Sequence, residues 1–284
     1  MPKTYNDIYI SLSRRLRDAG VEAHNLEARL IVAAAAGKNQ AELLRDLQLY
    51  SSAEIEAKAA SLAERRLGGE PAAYVTGRWG FYGLDLKITP DVLIPRSDTE
   101  TLVAEAAARL NGRNDARILD LCTGSGCVGC ALARALPHSR GVLLDDSDRA
   151  LAVARENVWE LGLADRWECV RGDVREQPSA GLGSFDLIVS NPPYVPSGEL
   201  ETLDRSVRDF EPRRALDGGA DGLDFYRVIL EHWTKVLRQS GWLLFEVGED
   251  QAQAVEKLMR RAGLRSISAA KDSRGVDRVV CGKF

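Results

Sequence analysis

Several features that mark common protein classes are scarce or missing in this 284-residue sequence. Its histidines number three and lie far apart, at His24, His138 and His232, so no zinc-type cluster is visible. No apolar run approaches the roughly 18 residues that a membrane span needs. The first residues, MPKTYNDIYISLSRR, lack the apolar segment and cleavage site of a signal peptide. These absences predict a cytoplasmic protein with no membrane partner.

Cysteine is also scarce, and its five residues are Cys122, Cys127, Cys130, Cys169 and Cys281. An odd number in a sequence of cytosolic character argues against a disulfide framework. The first three have the C-x4-C-x2-C spacing of plant-type iron–sulfur proteins. However, two of them fall in the apolar helical stretch CVGCALARAL, where small buried cysteines act as packing residues. The sequence therefore predicts no metal site.

Concentrated positive charge is a third absence. The chain has 38 lysines and arginines against 42 aspartates and glutamates, which gives a net charge of −4. A strong, sequence-independent grip on nucleic acid needs clustered Lys and Arg side chains. We therefore expect no direct contact with nucleic acid.

The N-terminal part of the sequence shows helical periodicity. Apolar residues recur at helical spacing from Ile8, Leu12 and Leu16 onward, which predicts a small helical domain over residues 1–70. The stretch PAAYVTGRWGFYGLDLKITPDVLIP (71–95) alternates, is rich in aromatic and β-branched residues and has Gly breaks. This pattern predicts a β-hairpin connector.

The remaining segment, residues 96–284, alternates strands and helices. Short apolar runs such as ARILDL, GVLLD, FDLIVS and GWLLFEVG are separated by helical patterns, and the helix before GWLLFEVG is expected at 223–238. Such alternation predicts an α/β fold with a doubly wound, mostly parallel sheet, here of seven strands and Rossmann-like.

A glycine-rich turn joins the first strand of this sheet to a helix. Gly124, Gly126 and Gly129 form the pattern G-x-G-x-x-G, which lets the backbone turn tightly and approach a ligand. Asp145 ends the next strand, 21 residues after Gly124, where a carboxylate accepts both hydrogen bonds from a ribose diol. The two features predict a nucleoside-type ligand and fit NAD as well as S-adenosylmethionine (SAM).

The stretch SNPPYVP follows the buried strand FDLIVS directly. Ligands of doubly wound sheets lie beyond the carboxyl ends of the strands, so Asn191 should face the same crevice as the glycine turn. The Asn191 side-chain oxygen and the Pro192 carbonyl are two acceptors on a stiff arc, which suits a planar NH2 group. The ring of Tyr194 is expected to lie against that planar group.

An NPPY turn after the fourth strand, together with a D-x-x-x-G-x-G turn, is typical of amino-methyltransferases. The stretches GEPAAYVTG, FYGLDLKITPDVLIPRSDTETLV, FEPRRALDGGADGLDFYR and DSRGVDRVV narrow this further. Over essentially the whole chain, the sequence resembles the PrmC/HemK family. The resemblance implies an enzyme that transfers a methyl group from SAM to the side-chain nitrogen of the glutamine in the Gly-Gly-Gln motif of peptide-chain release factors, leaving S-adenosylhomocysteine. It also implies that the N-terminal helices dock the release factor. We expect this enzyme to be a monomer.

The resemblance also implies roles for individual residues. The methionine part of SAM would be lined by Cys122, Thr123, Gly124, Ser125 and Gly126. Asp145 would hold the ribose, Val174 would border the adenine, and Asn191 would also face the cofactor. The substrate glutamine amide would be held by Asn191, Pro192, Pro193 and Tyr194, of which Asn191, Pro192 and Tyr194 would be catalytic.

The sequence departs from the family pattern in places. Cys122 stands where the family most often has Gly, and Ser97 stands where it has Pro. DLCTGSGC and PRS also resemble the sister family that methylates a glutamine of ribosomal protein L3, whereas IPRSDTE and DSRGVDRVV favour release factors. Asp146 replaces a usually apolar residue, and the sequence suggests no role for it.

Three further alternatives stay open at this point. A DNA adenine N6-methyltransferase would also present an NPPY-type turn, but it needs a basic cleft and a target-reading domain. An NAD-dependent oxidoreductase would leave the NPPY turn unexplained. A binding module that keeps a nucleoside pocket without catalysis is the third.

Overall fold

The computed structural model describes residues 2–113 and 115–284, and the chain forms two compact units. The first contains the residues up to Trp79 together with Asp204–Phe210, and the second contains Gly80–Leu203 and Glu211–Phe284. The domain boundaries expected at residues 70 and 95 stay predictions, and Met1 lies outside the described residues.

Helices make up the first unit. In chain order they are α1 (Tyr5–Asp18), α2 (His24–Ala36), α3 (Gln40–Asp46), α4 (Ala53–Leu67) and α5 (Ala72–Thr76), with the later helix α9 (Arg205–Arg208) added from the distant segment. Capping boxes begin two of them: Thr4 caps α1 with Asp7, and Asn39 caps α3 with Glu42. Leu16, one of the periodic apolar residues, is fully buried in their core.

The connector differs in part from its prediction. Strands β1 (Arg78–Phe81) and β2 (Leu84–Lys87) form the expected hairpin, but Ala72–Thr76 is the helix α5. Pro71 precedes the first helical residue, and Gly77 ends the helix in the left-handed conformation at φ 73°. A proline at the start and a glycine at the end favour a helix, and they outweigh the β-branched residues between them.

The second unit carries the strands and helices that position the site. They are α6 (Glu100–Arg109), β3 (Arg117–Leu121), α7 (Cys127–Ala135), β4 (Arg140–Asp145), α8 (Asp148–Glu160), β5 (Trp167–Arg171), β6 (Phe185–Ser190), α10 (Asp224–His232), β7 (Leu237–Glu246), α11 (Ala252–Arg261), β8 (Arg265–Lys271) and β9 (Asp277–Lys283). No helix in the described part of the chain is long and apolar enough to cross a membrane.

The sheet has seven strands in the order β5-β4-β3-β6-β7-β9-β8. Its first five strands run parallel, and β9 pairs antiparallel with both β7 and β8. This confirms the predicted doubly wound, mostly parallel fold. Strand order reverses beside β3, where β4 leads to one edge and β6 to the other, so a crevice is expected beyond the carboxyl ends of these three strands.

The prediction of a helix at 223–238 is wrong at its C-terminal end. α10 stops at His232, a 3₁₀ turn follows to Val236, and β7 begins at Leu237. Leu237 pairs with Phe185 at the start of β6, so its apolar side chain belongs to the sheet rather than to a helix face. The helical pattern ran on because apolar residues at the end of a helix and at the start of a buried strand look alike.

Candidate active site

The turn after β3 owes its shape to left-handed backbone conformations. Cys122, Gly124 and Gly126 have φ angles of 58°, 56° and 79°. Thr123 N–H donates to the Leu144 carbonyl at 3.0 Å, which ties the turn to β4. Cys122 is therefore a non-glycine residue in a region that favours glycine, which gives a physical reason why the resemblance led us to expect Gly at this position.

Asp120, which the sequence-based site prediction missed, lies beneath this turn. Its Oδ2 accepts hydrogen bonds from Thr123 Oγ1 at 2.6 Å and from Gly129 N–H at 3.0 Å. A Cβ at Gly129 would lie 3.1 Å from a ring carbon of Trp167 and 3.3 Å from Asp120 Oδ2, so the third glycine of the motif serves close packing. The sequence signal that could have identified Asp120 is a carboxylate inside the otherwise apolar strand ILDL. Burial raises the pKa of Asp120 to about 7.

We expect Asp120 to make the unfolding free energy depend on pH. Because folding raises its pKa from 3.8 to about 7, its stabilising contribution is complete below about pH 4 and is lost as the pH rises towards 7. Asp120→Asn removes this ionisation. As the pH rises from 5 to 8, the unfolding free energy of the variant should therefore increase by about 2 to 3 kcal/mol relative to that of the unaltered chain. Denaturant unfolding of both proteins at both pH values measures this difference in unfolding free energy. A difference that does not change with pH would contradict the prediction.

Asp145 lies against the same turn. Its Oδ2 accepts a hydrogen bond from Gly124 N–H, and its Oδ1 accepts one from Ser147 N–H, both at 2.9 Å. Burial raises its pKa. A carboxylate has about four acceptor positions, so each oxygen can still accept from a hydroxyl group. The residue therefore fits the ribose diol expected from its spacing.

Asp146, for which the sequence suggested no role, forms an ion pair with Arg214 from the stretch FEPRRALDGG. Both side chains line the site cavity, although both are substantially exposed. The segment that carries Arg214 is held close by, because Val195 N–H donates to the Leu216 carbonyl at 2.9 Å and Gly218 N–H donates to the Val195 carbonyl at 2.8 Å. The stretch thus joins the NPPY turn rather than forming a solvated loop.

A cavity of about 400 Å³ opens at this rim, within the range of small-molecule sites. It brings together most of the predicted site residues: Cys122, Thr123, Gly124, Ser125, Asp145, Val174, Asn191 and Pro193. Among the described residues, three predicted ones are not part of its lining: Gly126, Pro192 and Tyr194. Lining the cavity does not by itself assign a role, so the roles predicted for all of these residues stay predictions.

Charge in the cavity bears on the choice between NAD and SAM. Its walls carry five aspartates and three arginines: Asp91, Asp120, Asp145, Asp146, Asp173, Arg96, Arg175 and Arg214. Two backbone N–H groups of the turn region, those of Gly124 and Gly129, already donate to aspartates. A pyrophosphate needs such N–H groups and positive charge. The site therefore fits a cationic sulfonium with a ribose diol better than a dinucleotide.

Asn191 follows the last residue of β6 and lines the same cavity. Its Nδ2 group donates to Thr99 Oγ1 at 3.3 Å, and none of the residues that the structure describes donates to Oδ1, so that atom can accept from a ligand. Ser190 Oγ donates to the Leu121 carbonyl at 2.8 Å, so the ends of β6 and β3 are joined directly. The amide and the glycine turn are thereby held at one rim, as the sequence predicted.

The rest of the NPPY turn is fixed from behind. The Tyr194 carbonyl accepts from Gln251 Nε2 at 2.9 Å, and burial raises the pKa of the Tyr194 phenol above its usual value. Gly218 packs so closely that a Cβ there would lie 2.7 Å from Tyr194 Cα. The turn therefore has little freedom to move relative to the sheet.

Comparison with known proteins places this site in context. A family model described as "Methyltransferase small domain" matches residues 98–208, and one described as "PrmC N-terminal domain" matches residues 7–77. The release factor glutamine methyltransferase of Geobacter sulfurreducens is 42% identical, over 95% of this chain and 93% of its own length. That of Caulobacter vibrioides is also 42% identical, over 94% and 92%.

A solved structure shares the fold. The hMettl16 catalytic domain in complex with MAT2A 3'UTR hairpin 6 superposes with a TM-score of 0.58 and covers 81% of each chain. Its sequence identity is 17%, so this likeness concerns the architecture alone.

Proposed function

The chain belongs to the release factor glutamine methyltransferase family, and from that premise we propose that it methylates the glutamine of the Gly-Gly-Gln motif in peptide-chain release factors. The group transferred is the methyl of SAM, and the acceptor is the side-chain amide nitrogen. The observation that carries the proposal is the placement of Asn191 and the Asp145-bound glycine turn on one cavity.

We propose that the cofactor side of the cavity is built from the turn and the neighbouring acids. Asp145 accepts hydrogen bonds from the ribose hydroxyls, Val174 borders the adenine, and residues 122–126 line the methionine part. Bound SAM supplies a methyl group already activated by its positive sulfur. The aspartate-rich lining supports the binding of that cation.

On the substrate side, the chain supplies acceptors. Asn191 Oδ1 and the Pro192 carbonyl accept the two N–H groups of the glutamine amide, which fixes the plane of the amide and the direction of its nitrogen. Pro192 has no N–H of its own to compete, and the Pro192–Pro193 pair stiffens the arc. The gain over the uncatalysed reaction is then mostly one of positioning.

A methylation assay tests this function. We expect the protein, incubated with labelled SAM and a purified bacterial release factor, to label one peptide, which contains the Gly-Gly-Gln motif and is heavier by one CH2 group. Parallel incubations contain ribosomal protein L3 and duplex DNA. Label in L3 or DNA alone, or in nothing, would contradict the proposal.

The same proposal extends to assembly and location. We propose a cytoplasmic monomer whose helical N-terminal domain, residues 1–70, docks the release factor, followed by a connector over 71–95 and a methyltransferase domain over 96–284. The match of residues 7–77 to the PrmC N-terminal domain supports the presence of that first domain. Light scattering with and without the release factor checks the monomer and its complex.

A further inference from the structure

Two buried polar residues behind Asn191 have no part in the function described so far. Thr99, in the IPRSDTE stretch, and Glu246, the last residue of β7, are each 1% exposed. β6 and β7 are adjacent parallel strands in which Ser190 pairs with Phe245, so the next residues, Asn191 and Glu246, lie side by side. Tertiary structure alone brings Thr99 to the same place.

The three side chains lie together. Asn191 Nδ2 donates to Thr99 Oγ1 at 3.3 Å. Burial raises the pKa of Glu246 to about 7, and the neighbouring Thr99 and Asn191 side chains counter that rise. Glu246 Oε2 is buried and makes no hydrogen bond within the part of the chain that the structure describes. The carboxyl group of the residue beside Asn191 therefore has an unused acceptor.

Two charged residues act on the Glu246 carboxyl electrostatically. Arg278 lowers its pKa and Asp98 raises it, and the two form an ion pair with each other at 3.5 Å. The Glu246 carbonyl accepts from Tyr226 Oη at 2.9 Å, which fixes the backbone. Among the described residues, those lining the cavity include Thr99 and Asn191 but not Glu246, so Glu246 acts from behind the amide.

We propose that Thr99 and Glu246 are positioning residues that hold the Nδ2 group of Asn191 away from the substrate, so that Oδ1 is presented to the glutamine amide. This inference rests on the function proposed above. A flipped Asn191 would lose the hydrogen bond that Nδ2 donates to Thr99 Oγ1, would bring Oδ1 towards the carboxylate of Glu246, and would turn an N–H donor towards the donor NH2 of the substrate. The Thr99 hydroxyl can donate as well as accept, so the cost of the flip comes from the ionised Glu246 carboxylate, which only accepts, and from the substrate NH2, which only donates here.

Kinetics of four single variants and one control variant test the proposal. Thr99→Val and Glu246→Leu remove the acceptors while keeping similar volume, and each should lower kcat for release-factor methylation by about 10- to 100-fold, because small misplacement of a positioning group has effects of this size. The Kd for SAM should stay within about threefold. Thr99→Ser and Glu246→Gln keep an acceptor oxygen and should recover most of kcat. The exposed Glu249→Gln removes a nearby charge as a control.

A double variant separates positioning from a general structural effect. In the Asn191→Ala background there is no amide left to orient, so adding Glu246→Leu should change kcat by less than about twofold. An equal loss in both backgrounds would overturn the proposal. So would a Glu246→Gln protein as impaired as Glu246→Leu, because the acceptor alone is then insufficient.

A measurement without turnover keeps this inference separate from the proposed function. In protein labelled with ¹⁵N-asparagine, the Asn191 side-chain NH2 pair is identified by its absence in Asn191→Ala. We expect Thr99→Val and Glu246→Leu to speed its exchange with solvent by about tenfold or more, since an N–H group held in a hydrogen bond to a buried partner exchanges only when that bond opens. Unchanged exchange would overturn the positioning role. If no methyl transfer occurs at all, the proposed function fails while this result still decides the inference.

Discussion

Asn191→Ala should lower kcat for release-factor methylation by about 10²- to 10³-fold, the range seen when one preorganised polar contact to a reacting group is removed. The variant loses the side-chain acceptor that fixes the glutamine amide and keeps only the Pro192 carbonyl. Asn191 lies just after the end of β6 and is only half-buried, so its side chain is not part of the hydrophobic core and the fold should survive the substitution. Single-turnover assays with saturating SAM and release factor measure the effect directly.

Asn191→Asp tests whether the N–H donor of Asn191 is needed as well as its acceptor oxygen. The carboxylate keeps an acceptor for the substrate but loses the N–H that donates to Thr99 Oγ1, and it places a second acid beside Glu246. We expect it to be impaired at least about tenfold, because a buried like-charge pair disfavours the ionised form and disturbs the geometry. Full activity of the alanine variant, with SAM binding intact, would remove Asn191 from the mechanism.

Asp145→Ala should weaken SAM binding by about 100-fold, since hydrogen bonds to a charged group contribute about 1.5 to 3 kcal/mol each and about 1.4 kcal/mol corresponds to tenfold in Kd. The same substitution removes the acceptor for Gly124 N–H, so the glycine turn also loses one of its fixed points. Calorimetric titration with SAM measures the change without requiring any methyl acceptor.

The adjacent acid provides the matched comparison. Asp146→Ala removes a carboxylate one residue further on, whose partner Arg214 is half exposed. Exposed ion pairs contribute about 0 to 1 kcal/mol, so SAM affinity should fall by no more than about fivefold. Equal losses in the two variants would show that general negative charge, rather than the position of Asp145, binds the cofactor.

Much of the architecture was readable from sequence pattern. The run FDLIVS coincides with β6, Phe185–Ser190, because a short apolar stretch bounded by turn residues has few other conformations. The glycine turn and Asp145 were placed correctly next to each other, since consecutive strands of a parallel sheet end at the same edge. These features depend on local residue order and on a topology that repeats.

Other features depend on contacts between distant residues. The early start of β7 falls in a short segment whose local preferences are nearly balanced, so pairing with β6 decided between helix and strand. The segment Asp204–Phe210 belongs with the N-terminal helices, although it begins about 125 positions after Trp79 in the chain. No periodicity within a segment carries that information.

The sequence by itself determined the fold class, the glycine turn after β3 and the position of Asn191 at the end of β6, because each follows from local residue patterns and their order along the chain. Only the tertiary structure decided which way the Asn191 amide faces. Its partner Thr99 lies 92 residues earlier in the chain, and Glu246 reaches it across the β6–β7 pairing. An amide side chain has two ends of nearly equal shape, so its orientation follows from the donors and acceptors that folding brings around it.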